Sequence, residues 1–86
     1  MALVLGARIG DRFSVGVDSL TVTSIDGDDG ATVLLNDGTS VAISMRYAVE
    51  VAPDVFVFLG AIPGKQHLKL AFDAPPTISI LRRGAA

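Results

Sequence analysis

Apolar runs of strand length, each cut off within a few positions by turn residues, leave this chain little room for helix. Leu20, Val22 and Ile25 alternate with Thr21 and Thr23, the period-two pattern of a half-buried strand. Asp26-Gly27-Asp28-Asp29-Gly30 closes it as a turn. Thr32-Val33-Leu34-Leu35 leads into Asn36-Asp37-Gly38, and Thr39 to Met45 leads out. Two apolar runs around Asn-Asp-Gly predict a hairpin, because glycine accepts the positive φ such a turn needs. Val49-Glu50-Val51 ends at Ala52-Pro53-Asp54, and Val55-Phe56-Val57-Phe58-Leu59 follows. Ile62-Pro63-Gly64-Lys65 reads as another turn, and Leu68 to Phe72 alternates again. Thr77-Ile78-Ser79-Ile80-Leu81 is expected to be the last strand, ending at Arg82 and Arg83 ahead of a frayed Gly84-Ala85-Ala86 tail. Met45-Arg46-Tyr47-Ala48 could form at most one helical turn, since no longer segment carries a 3.6-residue apolar stripe. The pattern predicts an all-β domain, a small antiparallel sheet or barrel.

Size sharpens this expectation. The chain has 86 residues, half of them apolar and 19% charged, too apolar a composition for disorder. So short a chain makes a marginal core unless it is stapled or shared. With no cysteine and one histidine, neither disulfides nor a four-ligand structural zinc is available. A core shared with a second copy is the remaining common route. No run approaches the length of a membrane span, and Met1 to Gly6 is too short for a signal peptide. The expectation is one cytoplasmic domain that does not enter a membrane.

The two ends of the chain carry a resemblance. Leu3-Val4-Leu5-Gly6-Ala7-Arg8-Ile9-Gly10-Asp11 is followed by Phe13-Ser14-Val15-Gly16 and Leu20-Thr21-Val22. Leu68 to Phe72 is followed by Asp73-Ala74-Pro75-Pro76 and Thr77 to Arg82. In this order the segments resemble the bacterial carbon storage regulator family. That family opens with Leu-x-Leu, runs through an Ile-Gly-Asp turn and closes with Ala-Pro, alternating apolar residues and an arginine. The match covers roughly half the chain. Residues 28 to 64 interrupt it as an inserted β segment between a core of 1–27 and 65–83. Gly6-Ala7 stands where the family has a Thr-Arg pair, and the family's C-terminal helix has no counterpart.

The resemblance implies an interleaved homodimer, each first strand lying beside the last strand of its partner. It further implies an RNA-binding, post-transcriptional regulator of translation that recognises GGA elements in mRNA leaders. Arg82 matches the family's principal RNA-contacting arginine and Arg8 its first-strand cation. Leu5 matches a residue whose backbone reads a base, and Ala74-Pro75 match the adjoining turn. The chemistry of these residues is consistent with that role. An arginine fork suits guanine O6 and N7, Gly6 permits close approach, and Arg8, Lys69 and Arg83 suit phosphate. The alternatives are a fold that has lost RNA binding and acts as an interaction or structural module, and a β subunit of an unrelated assembly. The plain reading of Arg82-Arg83 is a solvated strand end that deters edge aggregation.

The net charge of −2 argues against nucleic acid only until it is divided. Within 28–64, Arg46 stands against Asp28, Asp29, Asp37, Glu50 and Asp54, a balance of −4. Outside it, six cations stand against four carboxylates, a balance of +2. The position of the acidic insert 28–64, a candidate site for a protein partner, therefore matters more than the total. Other chemistry has little support. Asp26 to Gly30 lacks the later ligands of a calcium loop. His67 has no nucleophile elbow, and no phosphate-cradling glycine loop exists, so neither enzyme activity nor a cofactor is expected. Val55–Leu59 is apolar at every position, which predicts burial on both faces or a docking edge.

Overall fold

Alternation builds the strands and decides which face of each turns inward. The computed structural model describes residues 2–27, 29–62 and 67–85. Nine strands follow one another: β1 (Ala2–Arg8), β2 (Asp11–Val15), β3 (Asp18–Asp26), β4 (Gly30–Leu35), β5 (Ser40–Ser44), β6 (Val49–Ala52), β7 (Val55–Ala61), β8 (His67–Asp73) and β9 (Ile80–Ala85). No helix occurs among the described residues, and none is therefore long and apolar enough to cross a membrane. Every pairing is antiparallel. The strands form two sheets, β1-β8-β7-β6 and β5-β4-β3-β2-β9, so the all-β expectation holds.

The chain changes sheet three times, after β1, after β5 and after β8. The inner faces meet in one core. Phe13, Leu20, Val22 and Val33 come from the five-stranded sheet, and Val57, Leu68, Leu70 and Phe72 from the other. Phe13 and Phe72 join the layers, with ring centroids 5.7 Å apart and planes tilted by 48°. A tilted aromatic pair contributes about 0.5–1.5 kcal/mol beyond its buried area. The segment 28–64 is no appendage. It supplies β4 and β5 to one sheet and β6 and β7 to the other, and Ala31, Val33, Ile43, Val55, Val57 and Leu59 to the core.

The predicted Asn-Asp-Gly hairpin joins β4 to β5. Gly38 takes φ 89°, and Leu35 donates its N–H to the Thr39 carbonyl at 2.8 Å. Several boundaries differ from expectation. Ile78 N–H bonds the Pro75 carbonyl at 3.0 Å, so Thr77 lies in a turn and β9 begins only at Ile80. The expected frayed tail is instead strand as far as Ala85, because β2 offers it partners as far as Asp11. Met45–Ala48 makes no helical turn. The Ser44 hydroxyl accepts the N–H groups of Arg46 and Tyr47, each at 3.2 Å, and bends the chain locally. Val55–Leu59 is buried on one face only. Val55, Val57 and Leu59 point inward, whereas Phe56 is 38% exposed on the outer face. The expected turn at 62–65 falls largely outside the described residues, as does Asp28.

Candidate nucleic-acid interface

The interface begins with an edge. β1 terminates the four-stranded sheet and β9 the five-stranded one, and a hydrogen bond brings the two edges together. Arg82 Nη1 donates to the Gly6 carbonyl at 2.9 Å. In an antiparallel strand the N–H and C=O of one residue point to the same side, and successive residues alternate. The Gly6 carbonyl therefore faces away from β8, and with it the backbone groups of Val4 and Arg8. Arg8 agrees, since its N–H turns to Asp11 Oδ2 at 3.0 Å. Gly10, at φ 96°, makes the tight turn that brings Asp11 back to this point.

Side-chain direction follows from the register. Leu5 and Ala7 face Leu70 and Leu68 across β1 and β8 and pack inward. Gly6 faces Lys69, and Arg8 faces His67, on the outer side. Arg82 stands opposite the core residue Phe13, yet β9 is an edge, so its long side chain reaches past the core to β1. The result is a hollow of about 360 Å³ lined by Gly6, Ala7, Arg8, Asp11, His67, Leu68, Lys69 and Arg82. Three permanent cations and a histidine surround it against the single carboxylate of Asp11. A Cβ added at Gly6 would meet nothing within 4 Å, so the backbone here is open to close approach.

The expected site residues divide into three groups. Gly6, Arg8 and Arg82 come together in the basic hollow, and Leu5 lies beside it, half-buried against the core. Ala74 and Pro75 lie toward the start of β1. With Leu3, Phe72, Pro76, Ile78 and Ile80 they line a separate apolar hollow of about 190 Å³. Arg83 turns away, donating its Nε–H to Ser14 Oγ on β2 at 2.8 Å. His67 and Asp11 join the site without having been singled out. Their positions follow from strand register and the Gly10 turn, which no local sequence pattern displays. None of the described residues 29–62 lines the basic hollow; the described strands of the acidic insert stand toward the far edges of the two sheets.

Among the described residues no group of three or more His, Cys, Asp or Glu side chains could hold a metal ion. A guanidinium bonded to the strand edge, flanking cations and outward-facing backbone groups can hold an anionic, hydrogen-bonding polymer. No protein-family model, curated protein or solved structure matches this chain.

Proposed function

We propose that this protein binds single-stranded RNA through the cleft between β1 and β9, and that it regulates translation in the cytoplasm by occupying GGA elements in mRNA leaders. The observation that supports this is the convergence of Arg8, Lys69 and Arg82 on the bare Gly6 edge, from opposite ends of the chain. A guanidinium carries five N–H donors, and the bond to Gly6 uses one. The remainder would be left to a fork of the kind a guanine O6/N7 edge accepts. Arg8 and Lys69 would take phosphates, and the β1 edge would hydrogen-bond bases as a strand does. The same reading makes the protein a homodimer, the last strand of one copy lying beside the Val4 end of the other's β1 edge and leaving the Gly6 to Arg8 end, beside its own β9, to RNA.

A gel shift with a GGA-loop RNA hairpin tests the proposal. Binding at sub-micromolar protein, weakened about tenfold or more by Arg82→Ala, is the expected outcome, since one bidentate contact carries about 1–3 kcal/mol. No binding at micromolar protein in low salt, or equal binding by Arg82→Ala, would favour the alternative of an interaction module that keeps the fold without RNA.

A further inference from the structure

The outer face of the four-stranded sheet carries residues that the β1–β9 cleft does not use. Register places them in rows across the sheet. Arg8 and His67 form one row, and Gly6 and Lys69 the next. Val4, Ala71 and Phe58 form the third, and Asp73, Phe56 and Glu50 the last. The face therefore runs from basic, through apolar and aromatic, to acidic. Ala71 is only 2% exposed although it stands outside the core cluster, because Val4 and Phe58 flank it on this outer side. The neighbours of Lys69 are small: Gly6 is its partner on β1 and Ala61 on β7, and a Cβ added at the bulged Gly60 would meet the Lys69 backbone and Cβ and the Val4 side chain. Phe58 is the diagonal neighbour of Lys69 across the strand pair, a separation of about 7–8 Å.

Beyond Phe58 the face opens into a hollow of about 250 Å³ lined by Met45, Arg46, Tyr47, Ala48 and Phe58. The bend at Ser44 holds Arg46 and Tyr47 there, and Tyr47 is 71% exposed. Two aromatic side chains, a thioether and a guanidinium around one hollow, reached from a lysine across a strip of small residues, suit one kind of occupant. Aromatic rings on a sheet take unpaired bases by stacking, and flanking cations take the phosphates between them. A neutral peptide would use the rings but gain nothing from the cations, and an acidic one would meet the cations without offering the rings flat faces to stack on. The acidic row of Glu50 and Asp73 closes the opposite side and steers a polyanion toward Arg46.

We infer that Phe58 and Tyr47 form a second RNA subsite, stacking an unpaired base that lies beyond the segment held at Arg82. The inference rests on the RNA-binding reading above. It makes the insert, through β7 and the Met45–Ala48 bend, a part of the RNA surface in its own right.

The test compares a GGA-loop RNA hairpin with the same hairpin carrying a short unpaired extension. Wild type is expected to bind the extended RNA more tightly, and Phe58→Leu and Tyr47→Ala to lose that gain, about fivefold or more per stacked base. Tyr47→Phe keeps the ring and is expected to keep the gain. Tyr47 is the chain's single tyrosine, so its ring resonances should move only on adding the extended RNA. If both RNAs bind wild type equally and the Tyr47 resonances stay still, the subsite is refuted and the cleft reading survives. If neither RNA binds, both fall together. If Phe58→Leu abolishes self-association while leaving RNA affinity intact, the face is a protein interface and the inference is wrong.

Discussion

Arg82 has two roles whose energies differ, and substitution can separate them. Its bond to Gly6 ties the edges of two sheets, but it lies in solvent, where the net contribution of a hydrogen bond is about 1 kcal/mol or less. A guanine contact through the fork is larger, about 1–3 kcal/mol. Arg82→Lys keeps the charge and loses the fork. RNA affinity should therefore fall about tenfold while the melting temperature moves by a few degrees, measured by fluorescence anisotropy and by thermal melting. A large loss of stability with unchanged affinity would make Arg82 a structural clasp. Asp37 supplies a separate residue-scale test. Hydrogen bonds from the Thr39 backbone and side chain hold its carboxyl below the ordinary 3.8. The folded turn then favours the carboxylate, so this support is present above the ordinary value and fades as pH falls through the lowered one. The Thr39 amide resonance should titrate with a midpoint below 3.8, and a midpoint at or above it would show that the bond is absent in solution. Asn36-Asp37-Gly38 was readable in the sequence because turn chemistry is local. The Arg82–Gly6 pair spans 76 positions, and only the folded sheets bring it together.

At the scale of elements, β7 shows where sequence reading stops. Its five apolar residues predict burial on both faces, yet the four-stranded sheet is covered on one. Composition records how apolar a strand is, and neighbours decide which side meets another layer. The two faces should respond differently to truncation. Leu59 is 2% exposed and belongs to the core, so Leu59→Ala should cost about 2–5 kcal/mol. A domain of this size has about 4–13 kcal/mol in all, so that loss approaches unfolding. Phe56→Ser on the outer face should cost far less, under about 1 kcal/mol, as surface changes do. Urea denaturation of both variants checks this, and a Phe56→Ser loss as large as that of Leu59→Ala would mean a second layer covers the outer face. The late start of β9 has a similar origin. Pro75 and Pro76 favour a turn, and β2 offers Ile80 its first ladder partner at Val15. Thr77 to Ser79 are strand-like in composition, but the Pro75–Ile78 turn bends them, and only the Ser79 carbonyl meets the end of the β2 ladder, accepting the Gly16 N–H at 2.8 Å.

For the whole molecule, the distribution of charge and the two neighbouring edges set how it meets partners. The described strands of the acidic insert stand toward the far edges of both sheets, and Arg8, Lys69 and Arg82 supply the local field at the cleft. The two phosphate contacts of Arg8 and Lys69 on a single strand correspond to a log–log salt slope of about −1.4 per protomer, shallow for an RNA-binding protein. The free side of β1 governs self-association. β1 has no proline, no charge before Arg8 and no register break against β8, and so lacks the usual devices that keep an edge from pairing. Its outward N–H groups include that of Val4, the alternate position to the Gly6 carbonyl that faces Arg82. A second copy pairing there would share its edge, and the melting temperature should rise with protein concentration. Val4→Pro removes only an outward donor, so it should leave the β1–β8 ladder intact and abolish that rise. Leu5→Pro removes a donor within the ladder and should destabilise the chain at every concentration. Sedimentation velocity beside thermal melting reads both variants. A wild type that sediments as a single 8.9 kDa chain with a concentration-independent transition would show that β1 stays unpaired in solution and that the cleft works alone.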